Sequence, residues 1–295
     1  MFTYLNEFLH RYNYPTKSKD ELMDTYQQLQ QTAKYSLFQD YVKVYQQDAV
    51  SSFKEIINGL QKIAEEENLK EYSLNLLYLI LISKHLNEIY EDLQWSEEMY
   101  DEAMFDLKYS MIECYRVYRI WGNFKMEWEL RFFALKRVAL GRLQFELQEF
   151  STFYNHKDNR LNSGDKVVSV YIPSSGPLRI CDCEKSFSMA SKFFRKDFKD
   201  KKIPFVLSSW LLNPMHRCVL SEDSNIVQFM NIFDIYEVEE EQPEEVLWRI
   251  FGHDWKAKPK ALPRGTTLQK AYAEWLLKGT QMKKGTGVFF YTGDV

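Results

Sequence analysis

Glycine and proline are scarce in this chain of 295 residues, which contains 11 glycines and 8 prolines. Average usage of about 7 % glycine and about 5 % proline would give roughly 35 such residues. The shortage lies at the start of the chain, because only Pro15, Gly59 and Gly122 fall within residues 1–125. Both residue types interrupt helices. The distribution therefore predicts long helices up to about residue 125 and a structure with more frequent turns after it.

Cysteines, excess basic residues and long apolar runs are also lacking. Four cysteines in a chain of this length do not make a disulfide scaffold. A net charge of −4 lacks the basic excess that general nucleic-acid binders usually show. The longest apolar run, residues 74–82, is interrupted by Asn75 and is far shorter than the roughly 18–20 residues of a membrane span. The N-terminus lacks the regions of a signal peptide. We expect a reduced, soluble, cytoplasmic protein with no membrane or nucleic-acid partner.

Apolar residues recur with helical spacing through the first 125 residues. This pattern predicts helices over Lys19–Leu37, Val42–Ala64 and Leu74–Leu93. The third is apolar nearly all round, which is typical of a buried central helix. Ser96, followed by two glutamates, predicts the start of a further helix that reaches about Ile120. The sequence thus predicts an all-α domain over residues 1–125.

Beyond this point the pattern changes to one of strands and helices. Trp128–Leu140 still has helical spacing, but Arg142–Phe150 alternates strictly, and Lys166–Pro173 predicts a second strand that pairs antiparallel with it. The predicted fold class is α+β, with the all-α domain followed by a mixed α/β domain over residues 126–295. The remaining predicted elements are a helix at Asp182–Phe198, a strand at Pro204–Leu212, a helix at Ser224–Phe233, a strand at Asp234–Glu240, helices at Glu244–Phe251 and Thr266–Leu277, and a strand at Gly287–Thr292.

The turn at residues 171–182 brings serine, glycine and proline to the start of a predicted helix. Helix N-termini present unpaired N–H groups and a partial positive charge, so they favour anions. Arg179 offers a further contact to phosphate. The spacing matches neither G-x-G-x-x-G nor G-x-x-x-x-G-K-[ST]. From spacing alone, an ordinary strand–helix turn is the simpler interpretation.

Two other groups of residues carry candidate chemistry. Cys181-x-Cys183 and His216-x-Cys218 are tighter than the usual C-x₂₋₄-C spacing of zinc sites, so we expect no metal. A basic helix face interleaved with phenylalanines favours an amphipathic helix over a nucleic-acid surface. Its residues are Lys192, Arg195, Lys196, Lys199, Lys201 and Lys202.

Two short segments are the most distinctive in the chain: Leu140–Phe145 reads Leu-Gly-Arg-Leu-Gln-Phe, and Ile172–Leu178 reads Ile-Pro-Ser-Ser-Gly-Pro-Leu. With further segments between residues 95 and 295, they resemble a bacterial family of acyltransferase-domain proteins. That family has a helical N-terminal part and a GNAT-like C-terminal domain. The further segments are Tyr118–Gly122, Trp128–Ala139, Ser209–Pro214, Ser224–Phe229, Thr266–Ala271 and Gly285–Val288.

The resemblance implies an acyl-CoA site. It makes Lys166–Pro173 the central strand, Ser174–Leu178 the loop that holds the pyrophosphate of coenzyme A, and Phe205–Leu212 a strand splayed away beside the acyl-pantetheine. The superfamily's usual pyrophosphate motif, [QR]-x-x-G-x-[GA], is absent. An acyl-CoA-dependent acyltransferase and a non-catalytic GNAT-like binding module therefore both stay open. The implied binding residues are Ser174, Ser175, Gly176, Leu178, Arg179, Ser209 and Trp210.

An acyltransferase of this kind transfers an acyl group directly from the thioester to an amine. It needs a base for the amine, an N–H for the oxyanion and an acid for the thiolate. We expect Glu146 or His216 as the base and the Tyr236 phenol as the acid. Glu149 is on the opposite side of the same strand from Glu146, so at most one of the two faces the site, and His216 is the nearby group that ordinarily titrates near neutrality. The expected co-substrate is acetyl-CoA or another acyl-CoA, and the acceptor is a small-molecule or peptide amine.

Overall fold

A computed structural model describes residues 1–47, 53–198 and 202–293. The chain forms two compact units, Met1–Val138 and Ala139–Val295. Among the helices of the described ranges, none is long and apolar enough to cross a membrane.

The first unit is helical, as its shortage of glycine and proline predicts. The 22-residue helix α5 is its central element: almost every residue from Ser73 to Ser83 is fully buried, and the other six helices pack around it. The helices are α1 (Phe2–Arg11), α2 (Thr16–Gln30), α3 (Tyr35–Gln47), α4 (Phe53–Glu66), α5 (Glu71–Asp92), α6 (Glu97–Tyr118) and α7 (Met126–Phe133).

Three helix predictions in this unit were wrong in their bounds. The predicted helix Lys19–Leu37 is divided, because α2 ends at Gln30 and α3 begins at Tyr35. The predicted helix Val42–Ala64 falls on parts of α3 and α4, and its residues 48–52 lie outside the described residues. The predicted helix Trp128–Leu140 ends early, because Leu135 adopts a left-handed φ of 54° and the first strand follows.

The division between the units lies downstream of the predicted boundary at residues 125 and 126. Helix α7 explains the difference, because it packs against α4 and α5 and therefore belongs to the helical core. The glycine and proline content rises near residue 125, before the short helix α7. The first unit ends only after α7, because α7 still packs against the other helices.

The second unit is built on a six-stranded sheet with the strand order β1-β2-β5-β6-β8-β7, and β3 and β4 form a separate hairpin. The antiparallel pairing of β2 with β5 is confirmed, and β5 pairs parallel with β6. The elements are β1 (Val138–Leu140), β2 (Leu143–Glu149), β3 (Tyr154–His156), β4 (Asn159–Leu161), β5 (Lys166–Tyr171), α8 (Ile180–Phe194), β6 (Ile203–Ser209), α9 (Asn225–Met230), β7 (Asp234–Glu240), α10 (Pro243–Phe251), α11 (Thr267–Leu277) and β8 (Lys283–Tyr291).

One face of the sheet is apolar and aromatic. The ring of Phe187 on α8 lies 6.0 Å from Phe145, 5.0 Å from Phe205 and 4.9 Å from Phe289, so it packs against three strands. Because side chains alternate along a strand, Glu146 points to the opposite face. The aromatic core thus fixes which face of β2 carries its polar residues.

The parallel ladder between β5 and β6 is short. The two strands pair at Val168 with Phe205 and at Ser169 with Val206. Beyond these pairs, Leu207–Ser209 of β6 continue to pair with β8 on their other side. The strands β5 and β6 therefore separate after Ser169, and a gap opens toward their C-terminal ends.

Candidate active site

The loop between β5 and α8 is open around its glycine. Gly176 adopts a φ of 119°, a conformation that side chains rarely allow, and a Cβ there would meet no atom within 4 Å. Helix α8 then begins at Ile180. In general, the first N–H groups of a helix lack the carbonyl partners that later turns have. The loop therefore leads an open turn directly into a helix N-terminus, which is the arrangement that favours an anion.

Arg142 holds this loop from one side. Its guanidinium donates hydrogen bonds to the carbonyl oxygens of Pro173 at 3.0 Å, Gly176 at 2.8 Å and Pro177 at 3.1 Å. In a trans peptide the C=O and N–H point in opposite directions. The bond to Pro177 therefore turns the N–H of Leu178 away from the guanidinium. Three charge-assisted contacts of this kind fix the loop before any ligand arrives.

The predicted phosphate ligands of the loop differ in exposure. Ser174 and Arg179 are exposed, Ser175 is partly buried and Leu178 is buried. The Arg179 Nε lies 2.8 Å from Asp182 Oδ2, so this guanidinium forms an ion pair in the first turn of α8. It remains 65 % exposed and accessible to a phosphate.

The far side of the gap ends in a turn. The Ser209 hydroxyl accepts a hydrogen bond from the Leu211 N–H at 3.2 Å and starts a short 3₁₀ turn at Trp210–Leu212. The Trp210 ring is partly buried and lies 5.8 Å from the ring of His216. Ser209 and Trp210 thus lie where β6 ends. The predicted strand Phe205–Leu212 was too long, because its last three residues form this turn.

His216 lies inside an aromatic cluster. It is fully buried, its Nδ1 lies 3.2 Å from the Leu211 carbonyl oxygen, and its Nε2 lies 2.9 Å from the Tyr272 hydroxyl. The carbonyl can only accept, so Nδ1 carries the proton and Nε2 accepts from Tyr272. Burial lowers the pKa of His216 to about 4. Its imidazole is therefore neutral at pH 7, with both nitrogens engaged by the protein.

Tyr236 lies in another cluster, at the hairpin end of the sheet. Its hydroxyl is 3.3 Å from Thr152 Oγ1, and its ring centroid is 5.2 Å from that of Tyr154. Burial raises the pKa of Tyr236 above its ordinary value. Tyr236 therefore contacts Thr152 and Tyr154, whereas His216 contacts Leu211 and Tyr272.

Glu146 is the centre of a third group, which we call the β2–β5 polar network and define as Glu146, Gln148, Ser169 and Tyr171. Glu146 is 1 % exposed. Its Oε2 accepts a hydrogen bond from Gln148 Nε2 at 2.7 Å and another from the Tyr171 hydroxyl at 3.3 Å. The Gln148 amide also donates to the Tyr171 oxygen at 3.0 Å, and Ser169 Oγ donates to Gln148 Oε1 at 2.9 Å.

The network lies beside the gap. Ser169 is directly opposite Glu146 in the β2–β5 ladder and also belongs to the last pair of the β5–β6 ladder. Sequence reasoning found Glu146 but missed its three partners. The alternation of Gln144, Glu146 and Gln148 along β2 was the available signal, because a strand face with three polar residues needs partners when it is buried.

The predicted basic helix face is partly described. Its four described residues, Lys192, Arg195, Lys196 and Lys202, are exposed, and Phe194 is buried. Lys199 and Lys201 lie outside the described residues. Within the described ranges, no group of three or more histidine, cysteine or acidic residues is placed to hold a metal ion.

The comparisons with known proteins identify the second unit. Residues 138–289 match the family described as GNAT-like C-terminal domain. The chain belongs to this family. No curated protein matches the chain.

Solved structures of acyltransferases are similar in fold to this GNAT-like chain. An acyltransferase in complex with decanoyl-CoA and teicoplanin matches with a TM-score of 0.73 at 18 % identity, over 96 % of this chain and 86 % of that chain. An acyltransferase in complex with decanoyl-CoA gives 0.70 at 20 % identity, with the same coverage. An acyltransferase mutant in complex with octanoyl-CoA gives 0.73 at 18 % identity. These likenesses confirm the predicted fold class, a helical N-terminal region followed by a GNAT-like mixed sheet.

Proposed function

We propose that this protein is an acyl-CoA-dependent acyltransferase that transfers an acyl group from a thioester to an amine. The observation that carries the proposal is the gap between β5 and β6, which opens after Ser169 and leads to the loop held by Arg142. The similar solved structures, which contain octanoyl-CoA or decanoyl-CoA, support an acyl-CoA as co-substrate. Four cysteines outside disulfides fit a reducing, cytoplasmic environment.

The residues of the loop fit a pyrophosphate. The helix N-terminus and the open Gly176 turn supply main-chain N–H groups, and Arg179 supplies a positive charge. Arg142 compensates for the missing superfamily motif, because it fixes the loop carbonyls on the side away from the ligand. In the gap, main-chain groups of Leu207–Ser209 that face away from β8 are available to the pantetheine amides.

The proposed chemistry is a direct transfer. The neutral amine attacks the thioester carbon, a C–N bond forms, and the C–S bond then breaks. An N–H of β6 stabilises the oxyanion, and Glu146 is the base that takes up a proton when the amine is deprotonated. Of the other predicted catalytic residues, His216 is better suited to positioning Trp210 and Tyr272, because both of its nitrogens are engaged. Tyr236 is the acid that the sequence suggests for the thiolate.

Binding tests the site directly. We expect coenzyme A and octanoyl-CoA to bind the full chain in calorimetric titrations, and Gly176→Trp to abolish binding because the indole fills the open turn. Any side chain at a positive φ strains the backbone, so Gly164→Trp is the matched control. Gly164 has a φ of 89° and no atom within 4 Å of a Cβ, and it lies in the loop after β4. No binding at millimolar ligand would overturn the proposal.

Turnover distinguishes the enzyme from the binding module. Release of free thiol from octanoyl-CoA is measured with a panel of primary amines: glucosamine, 2-phenylethylamine, glycinamide and lysine methyl ester. Binding together with amine-dependent thiol release supports the acyltransferase. Binding without thiol release from any of them supports the non-catalytic GNAT-like module instead.

A further inference from the structure

The hydrogen-bond directions of the β2–β5 polar network are determined by its chemistry. Ser169 donates to Gln148 Oε1, so the Gln148 amide nitrogen faces Glu146 and Tyr171. That nitrogen can only donate, so the Tyr171 oxygen accepts from it and the Tyr171 O–H is directed to Glu146 Oε2. These bonds form a path along which a proton can move from Tyr171 to Glu146.

Glu146 itself is not accessible to a substrate. It is 1 % exposed, so an amine cannot approach its carboxylate closely enough to give up a proton directly. Tyr171, by contrast, is partly exposed and is the last residue of β5, where that strand has already separated from β6. Its side chain therefore runs from a backbone position at the edge of the gap to the buried carboxylate on β2.

We propose that Tyr171 is the catalytic residue that exchanges protons with both substrates, and that Glu146 stores the proton behind it. This inference rests on the proposed acyltransferase function. As the C–N bond forms, the amine gives a proton to the Tyr171 oxygen, and Tyr171 gives its own proton to Glu146. When the C–S bond breaks, Tyr171 protonates the leaving sulfur and recovers a proton from Glu146. The net result is transfer of one proton from the amine to the thiol, with the protein unchanged.

Gln148 is the positioning residue of this relay. Its amide donates to both Glu146 and Tyr171, and so holds the carboxylate and the phenol in one geometry. Tyr236, the acid that the sequence suggested, has its hydroxyl 3.3 Å from Thr152 and its ring packed against Tyr154. Tyr171 therefore replaces Tyr236 as the acid in this scheme.

The test is Tyr171→Phe in the full chain, with octanoyl-CoA and the amine that gives the fastest thiol release. We expect the affinity for coenzyme A to stay within about twofold and kcat to fall by about 100-fold or more, the usual contribution of general acid–base catalysis. Tyr291→Phe is the matched control, because it removes a hydroxyl from β8 of the same sheet. Full kcat in Tyr171→Phe would overturn the relay, as would full activity loss in Tyr236→Phe with Tyr171→Phe unaffected.

A second measurement separates the relay from a structural role of the hydroxyl. A relay moves two protons in one step, so kcat in mixtures of H₂O and D₂O should follow a curved dependence on the deuterium fraction. Gln148→Leu, which breaks the geometry, should lower kcat by at least tenfold with little change in KM. A linear dependence, or an unchanged kcat in Gln148→Leu, would contradict the relay. Loss of binding or turnover in the wild type would instead overturn the proposed function itself.

Discussion

At the scale of single residues, Arg142 fixes the conformation of the loop between β5 and α8, a role that the residues of a loop usually have themselves. It reaches the loop across 31 to 35 positions of sequence and satisfies three of its carbonyls. A lysine keeps the charge but cannot donate in three fixed directions. We therefore expect Arg142→Lys to weaken coenzyme A binding by about tenfold, which is roughly 1.4 kcal/mol.

The matched control for this change is Arg160→Lys. Arg160 is an exposed arginine on β4 whose Nε donates to Asn162 Oδ1 at 3.1 Å. Calorimetric titration with coenzyme A should give the wild-type affinity for this variant. Equal affinities for the Arg142 and Arg160 variants would contradict the role of Arg142.

His216 makes stability depend on pH. Its pKa is lowered from 6.5 to about 4 by burial, so between these values the unfolded chain binds a proton that the folded chain excludes. The free energy of unfolding should therefore fall as the pH drops from 6.5 to 4, by roughly 3 kcal/mol from this group. Urea unfolding followed by tryptophan fluorescence measures this dependence. This fall in the free energy of unfolding should be missing in His216→Gln. It should be retained in His253→Gln, because His253 is exposed.

Gly285 allows the turn after β6 to approach β8. A Cβ at this position would lie 2.4 Å from the Leu212 carbonyl oxygen, a contact that only a backbone shift can relieve. Gly285→Ala should lower the free energy of unfolding by about 2 kcal/mol or more, the usual cost of overpacking. Gly265→Ala is the control, because its Cβ would meet only the flexible Gln269 side chain at 3.3 Å. Equal free energies of unfolding for Gly285→Ala and Gly265→Ala in urea would contradict this role of Gly285.

At the scale of elements, helix caps offer the clearest local signals. Thr266 caps α11: its hydroxyl accepts from the Gln269 N–H at 3.1 Å, and the Gln269 side chain accepts from the Thr266 N–H at 3.3 Å. Thr266→Ala should cost about 1 kcal/mol of stability in thermal or urea unfolding, and Thr266→Ser should keep most of it. The exposed neighbour Thr267 provides the matched alanine control. A larger loss at Thr267 would contradict the cap.

Local signals also explain which elements the sequence could predict. The helix start at Ser96 and the antiparallel strands β2 and β5 are confirmed, because each depends on residues close in sequence. For the last helix the sequence left Thr266 and Thr267 open as the cap, and the structure has Thr266. The hairpin β3–β4 was missed, since strands of three mostly polar residues give no alternating apolar pattern. The loop at residues 174–178 came from resemblance. Its support by Arg142 and the contacts of Glu146 depend on side chains brought together by the fold, which no local pattern reports.

At the scale of the whole molecule, acyl-CoA should affect a small part of the chain. Hydrogen exchange measured with and without octanoyl-CoA should show protection at residues 173–183 and 207–212, where the loop, the start of α8 and the end of β6 lie. The hairpin at residues 154–161 is an internal reference and should exchange equally in both states. Protection confined to the hairpin would place the ligand elsewhere.

The two-pair ladder between β5 and β6 has a consequence for how this protein can be altered. Groups that a partner strand would normally satisfy are main-chain atoms, and every residue except proline supplies them equally. The binding of a pantetheine arm in this gap would therefore depend little on which side chains line it. Replacing the side chain of Ser208, which is exposed on β6 beyond its last pair with β5, should thus change which acyl lengths fit while leaving the affinity for coenzyme A unchanged. The gap between β5 and β6 is therefore a suitable place to redesign the preference for acyl-chain length.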